Sequence, residues 1–312
     1  NNYKYSTEAG LKISLFNFQI CQLDEFSEIQ KISDKDELKM YNIYLICQRD
    51  RISIDPNYIE VNDKTICLNF ETYQNLEKVT VPIMIKNIFN TTKIHLKSST
   101  PFDFFELLNE KNECLYFNKS AYELDNILFD EKREIYPRPS FLDFEILYIG
   151  QSLRKSEKPV FDRLKKKHIT LNKIINFKNN NDSNKEIYFV LCSFRMDALV
   201  QLKGSIGDFE LEMKRSNNYI KKGVELSPKQ ETTLTEASLI RYFQPKYNIH
   251  YKYLFPSEKN KSYSECYDLD INSVSVLIDT ELNFFSESIE TNKIHEISYS
   301  FVNDTERQKL FF

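Results

Sequence analysis

Short runs of β-branched and aromatic residues, set between polar turns, dominate the first 130 positions of the chain. Leu11-Lys12-Ile13-Ser14-Leu15-Phe16 alternates apolar with polar, and Tyr41 to Cys47, Thr65 to Phe70 and Val79 to Ile85 are compact runs rich in the same residue types. A period of two turns one face to a core, so this stretch is expected to be mostly strand. Asp55-Pro56-Asn57 reads as a turn between two of the strands. Pro101 to Glu110 reads as a short helix, because Phe104, Leu107 and Leu108 would share a face.

Charge gathers at Asp130-Glu131-Lys132-Arg133-Glu134, a natural boundary. Two strands are expected next, at Glu134 to Tyr136 and Phe144 to Ile149, with Pro137 and Pro139 in their connection. Val160 to Phe177 reads as a helix with a basic outer side, Lys178 to Lys185 as a loop and Glu186 to Phe194 as a strand. Residues 208–215 fit helix or strand equally. The second long helix is marked at both ends: Ser227 suits an N-cap, Pro228 the first helical position and Gln230 a capping box, and Pro245 requires a stop. Strands are expected at 273–279 and 294–302.

The 312 residues suggest two domains, or one domain with extensions. A hydrophobic share of 41% and a charged share of 28% are those of a globular protein. The net charge of −4 shows no overall basic bias, so any polyanion must be held by a local basic surface. Cys21, Cys47, Cys67, Cys114, Cys192 and Cys266 form no C-x-x-C pair and no zinc spacing, and are expected to be free thiols of a reducing cytoplasm. No apolar run reaches the roughly 18 residues of a membrane span, and neither a leader nor a membrane partner is expected.

Three elements carry chemistry, in order: Tyr148-Ile149-Gly150-Gln151-Ser152 at a strand end, a basic helix with Arg163 and then His168, and Glu236-Ala237-Ser238-Leu239-Ile240 running on to Phe243-Gln244-Pro245-Lys246-Tyr247-Asn248. This set resembles the GIY-YIG nuclease superfamily over about residues 130 to 250. There a strand hairpin carries two tyrosines, a following helix an arginine, and a later helix a metal-binding glutamate followed by Pro and Asn. The Tyr148-Ile149-Gly150 triplet is literal. The first triplet is not; its best match is Glu134-Ile135-Tyr136. Lys167 stands where the family's histidine usually follows the arginine. At 100° per residue, His168 lies about 140° around a helix from Arg163.

The resemblance implies a division of labour that the chemistry makes sensible. Phosphodiester hydrolysis needs a deprotonated nucleophile and stabilisation of charge on the phosphoryl and leaving oxygens. Tyr148, with Tyr136 or His168, would handle the attacking water. Arg163 offers a planar fork for phosphate oxygens. Glu236 would hold Mg²⁺ or Mn²⁺, which binds through one or two carboxylates plus substrate oxygens and water. Asn248 would support the site. Gln151, Ser152, Arg154, Lys155, Lys158, Lys166 and Lys167 would line the nucleic-acid backbone. His95, His250 and His295 are read as structural or surface residues.

The expected architecture is therefore an α+β fold, a small antiparallel sheet flanked by helices. The expected division is a β-rich module at 1–129 with a target-recognition role, a nuclease domain at 130–252 and a strand-containing extension at 253–312. The expected function is metal-dependent endonucleolytic hydrolysis of DNA in phage defence, restriction or a mobile element. The alternatives are an inactive nucleic-acid-binding or scaffold protein and an RNA-cleaving effector.

Overall fold

A computed structural model describes residues 7–32, 40–74, 77–118, 140–152, 168–181, 184–202, 210, 213–214, 217, 226–256, 266, 271 and 273–300. These residues are mostly β, with 52% in strands and 21% in helices. The expected small sheet flanked by helices gives way to a barrel. One sheet has the order β1 (Thr7–Cys21), β10 (Lys185–Leu202), β2 (Ile43–Asp50), β9 (Phe144–Gln151), β11 (Ser273–Phe285) and β12 (Asn292–Ser300). β1 also pairs with β11, in parallel, which closes the first five of these strands on themselves. Closure removes the unpaired sheet edges that a small open sheet would need helices or charges to protect.

The chain divides into two compact units. The first takes residues 1–47, 145–176 and 187–312; the second takes 48–144 and 177–186. This interleaved division differs from the serial one expected at 130 and 252. The reason is pairing: β1 lies along β10 with Leu11 opposite Ala198 and Ile13 opposite Met196, and along β11 with Gly10 opposite Ser273. Strand partners need not be chain neighbours, and local patterning does not name them.

In the first unit, β11 buries alternate residues along its whole length, Val274, Val276, Ile278, Thr280, Leu282 and Phe284. Gly10 permits the parallel contact, since a Cβ there would come within 2.9 Å of Ser273 Oγ. Helices α1 (Phe26–Ile32) and α2 (Ile169–Asn181) pack with the barrel wall: Phe26, Leu171 and Ile174 are buried in one cluster with Tyr44, Ile46, Leu147, Phe189 and Leu191. The thiols of Cys21, Cys47 and Cys192 are all pushed up, chiefly by burial, which keeps them protonated and unreactive. Helix α3 (Pro228–Phe243) starts after Ser227, which sits at the N-cap but without the side-chain cap bond expected of a capping box, and stops before Pro245, with Gln244 closing it at a left-handed φ of 47°.

The second unit holds two three-stranded antiparallel sheets, β3 (Ser53–Val61), β4 (Thr65–Gln74) and β5 (Glu77–Lys86), then β6 (Ile94–Lys97), β7 (Phe105–Asn109) and β8 (Cys114–Asn118). They share a core of Ile54, Leu68, Phe70, Ile83, Phe105 and Leu107 among others. Two local expectations are corrected here. Asp55-Pro56-Asn57 is not a turn between strands but an irregularity inside β3, where the register with β4 shifts between Ile54 and Ile59. Its turn chemistry survives, with Asn57 N–H donating to Asp55 Oδ1 at 3.0 Å. Proline is tolerated there because β3 is an edge strand. Pro101 to Glu110 is not a helix: Phe105 to Asn109 pairs with strands on both sides, and that pairing overrides a weak three-residue helical face.

His295 on β12 is 1% exposed between the rings of Tyr242 and Phe243 of α3. Its Nδ1 lies 3.2 Å from Tyr242 Oη and its Nε2 3.0 Å from Asn292 O. Burial, the largest influence, lowers its pKa from the ordinary 6.5. The unfolded chain then binds more protons than the folded one below that value, so stability falls as pH drops through it. Thermal unfolding followed by circular dichroism should show Tm falling from pH 7.5 to 5.5, with a shallower fall in His295→Phe than in the parent.

Candidate active site

Asn42 directly precedes β2, which begins with Ile43-Tyr44, and its neighbour β9 carries Tyr148-Ile149-Gly150 just before its last residue, Gln151. The two tyrosine rings lie 6.2 Å apart between centroids. Tyr44 is fully buried and covers Gly150 so closely that a Cβ on that glycine would sit 2.4 Å from Tyr44 Cζ and 2.9 Å from Tyr148 Cε1. The glycine of the triplet is thus a steric requirement of the two rings, independent of any role in chemistry.

His168 completes the cluster, its ring edge-on to Tyr148 at 5.5 Å and to Tyr44 at 6.0 Å. It caps helix α2, since Leu171 N–H donates to His168 Nδ1 at 3.0 Å. A nitrogen that accepts this bond carries the lone pair, so the ring proton sits on Nε2. Nε2–H therefore donates to Tyr44 Oη, 2.8 Å away. In this arrangement His168 is a donor to the phenol, and neither of its nitrogens is placed to take a proton from water.

Asn248 is 7% exposed and grips β9 like a strand partner. Ile149 N–H donates to Asn248 Oδ1 at 2.8 Å, and Asn248 Nδ2 donates to Ile149 O at 2.8 Å. Next to it, Tyr247 N–H donates to Leu147 O at 3.0 Å. The Tyr247 phenol is pushed up by burial first and by Glu145 and Glu287 second, so it stays protonated.

Helix α3 is tied to the same strand ends. Asn42 Nδ2 donates to Thr232 Oγ1 at 3.4 Å, Thr233 Oγ1 lies 3.5 Å from Gln151 Oε1, and Ser152 N–H donates to Asn42 O at 2.8 Å. Glu236 stands one helical turn beyond Thr232 and Thr233 on α3 and is 8% exposed. Among the described residues no three His, Cys, Asp or Glu side chains form a metal-holding group. Glu236 would be a lone protein carboxylate, which suits a hard cation sharing its ligands with phosphate and water.

Of the residues expected at the site, Tyr148, His168, Asn248, Gln151 and Ser152 are brought to these strand ends by the contacts above, and Glu236 lies one turn along α3 from the two threonines that meet them. Ser152 is 7% exposed, so its contribution there is structural. Tyr136, Arg163, Arg154, Lys155, Lys158, Lys166 and Lys167 lie outside the described residues. Tyr44 and Asn42 went unnoticed in the sequence. The signal in the sequence is the Ile-Tyr pair of Asn42-Ile43-Tyr44, which residues 48–144 separate from Tyr148. Comparison with protein-family models, curated proteins and solved structures finds no match to this chain.

Gly150→Ala should lower stability by about 1–3 kcal/mol, as expected for an overpacked core. Chemical denaturation of a double-mutant cycle should show that cost falling by at least half in a Tyr44→Leu background, where the colliding ring is gone.

Proposed function

We propose that the barrel unit is a metal-dependent endonuclease that hydrolyses phosphodiester bonds in DNA, with Tyr44 and Tyr148 as the tyrosine pair of its active site. The observation that carries this reading is the meeting of Tyr44 and Tyr148, on adjoining strands, with His168 at the start of α2, while Asn248 is held to β9 and α3, the helix of Glu236, is tied to Asn42 through Thr232. It supports the resemblance in the arrangement of side chains, in a fold that is a β-barrel. We place the protein in the cytoplasm, a setting supported by its six free cysteines. No helix among the described residues is long and apolar enough to cross a membrane.

In this reading the half-buried Tyr148 takes the proton of the attacking water as its phenolate, while the fully buried Tyr44, with His168 Nε2–H bonded to its Oη, holds that ring in place. The water oxygen bonds to phosphorus as the bond to the leaving oxygen breaks. Arg163 spreads the phosphoryl charge over a bidentate contact. Glu236 would hold Mg²⁺ or Mn²⁺, which supplies Lewis-acid stabilisation of the leaving oxygen when bound. Asn248 fixes the path of β9 and so the aim of Tyr148.

The test is incubation of the purified chain with plasmid, oligonucleotides and RNA, in Mg²⁺ or EDTA. DNA cutting that needs Mg²⁺ and slows at least about 100-fold in Glu236→Ala supports the proposal. Cutting of RNA alone overturns the substrate, and binding without cutting leaves a scaffold. A second variant separates the two jobs of His168. Asparagine caps helices well but cannot offer Nε2–H to Tyr44. His168→Asn should lower Tm by only a few degrees, the cost of one lost partner for Tyr44 Oη, yet cut about 100-fold more slowly. A matched loss of Tm and rate would assign His168 to folding alone.

A further inference from the structure

The twelve residues from Pro245 to Pro256 contain no acidic side chain, in a chain with 46 acidic residues against 42 Lys and Arg. They do contain Lys246, His250 and Lys252, interleaved with Tyr247, Tyr251 and Tyr253. Three large apolar side chains stand out into solvent here: Ile249 is 85% exposed, Leu254 77% and Tyr253 73%. Exposed apolar groups gathered in one short segment mark contact surfaces far more often than isolated ones do.

The segment is also held in shape. At one end buried Asn248 is clamped to Ile149 by two hydrogen bonds. At the other, Phe255 is buried, its ring edge-on to Tyr299 at 5.2 Å. Between them Arg241 Nη1 donates to Lys252 O at 2.6 Å. Tyr251 turns the chain with a left-handed φ of 67°, a conformation that costs energy outside glycine and gathers at functional sites. Exposure here is therefore imposed by a braced turn, and Ile249 follows directly on the asparagine that grips the candidate active-site strand.

We propose that this turn is a stacking platform for an unpaired base of nucleic acid, with Tyr253 against the base face and Ile249 and Leu254 as flanking wedges. The inference rests on the nuclease reading and deepens it: the preferred substrate has a single-stranded or distorted stretch beside the scissile bond. An aromatic ring stacks on any base, and aliphatic side chains insert where bases are unstacked. Lys252 and Lys246 add positive charge along the backbone; Lys246 also lies 3.9 Å from Glu287 across an exposed pair. Three side chains fall far short of the roughly 1,600 Å² that a stable protein contact buries, which disfavours a second copy of the chain.

The experiment measures binding of the full chain, in EDTA to prevent cutting, to a fluorescent single-stranded DNA 30-mer and to the matching duplex. Tyr253→Ser combined with Leu254→Ser is expected to weaken single-strand binding about 10-fold and duplex binding less than twofold. Tyr253→Phe should bind like the parent, because the ring is kept. Unchanged single-strand binding in the double variant, while the parent still binds and cuts DNA, overturns the platform and leaves the nuclease reading standing. A parent that binds neither DNA removes both. A shift from oligomer to monomer in the double variant would assign the surface to a second copy and likewise overturn the platform.

Discussion

The ring of Tyr44 lying on Gly150 is the contact around which the rest of the candidate site is organised. A flat aromatic ring can approach a strand this closely only where the strand has no side chain, and the glycine of Tyr148-Ile149-Gly150 supplies that gap. The approach lets one phenol settle against another and leaves Tyr44 Oη within hydrogen-bond reach of His168. Because His168 also caps α2, the helix start, the imidazole tautomer and the phenol oxygen are set by one chain of hydrogen bonds. Buried polar networks of this kind specify geometry because each unsatisfied member would be costly.

The barrel supplies the frame for that contact. β2 and β9 are neighbours in a closed ring, so the positions of Tyr44 and Tyr148 are determined by ladders on both sides of each strand. Asn248 then adds a side-chain rung to β9, and Asn42 a rung to α3. The chain leaves the barrel unit after the start of β2 and returns at β9, and everything between them, residues 48–144, belongs to the second unit. An excursion of this length is tolerated because the entropy of closing a loop grows only slowly with its length, while its own core repays the ordering of its residues.

Legibility followed the range of the interaction. Helix α3 was readable to within a residue because its start and stop are local: Pro228 lacks an N–H that the first turn does not need, and Pro245 cannot continue a helix. The apolar runs at 41–47, 65–70 and 79–85 were readable as strands for the same reason. Asp55-Pro56-Asn57 misled because its turn chemistry is genuine, yet an edge strand absorbs it as an irregularity. Phe105 to Asn109 misled because three apolar residues fit either period, and only its partners on both sides decide. The expected site residues Tyr148, His168, Glu236 and Asn248 were found from motif order. Tyr44 lay outside the expected set because its Ile-Tyr pair is separated from Tyr148 by residues 48–144, and only strand pairing brings the two together.

What the sequence determined by itself was therefore the set of local commitments: which stretches alternate, where helix α3 must begin and end, and which side chains carry chemistry. What only the tertiary structure decided was pairing. β1 finds β10 and β11, near the far end of the chain, and Tyr44 finds Tyr148 across an intervening unit. The physical reason is that backbone ladders are nearly indifferent to side-chain identity. Among many strands that could pair, the choice falls to the arrangement that buries the most apolar surface and pairs the most strand edges, and that is a property of the whole chain.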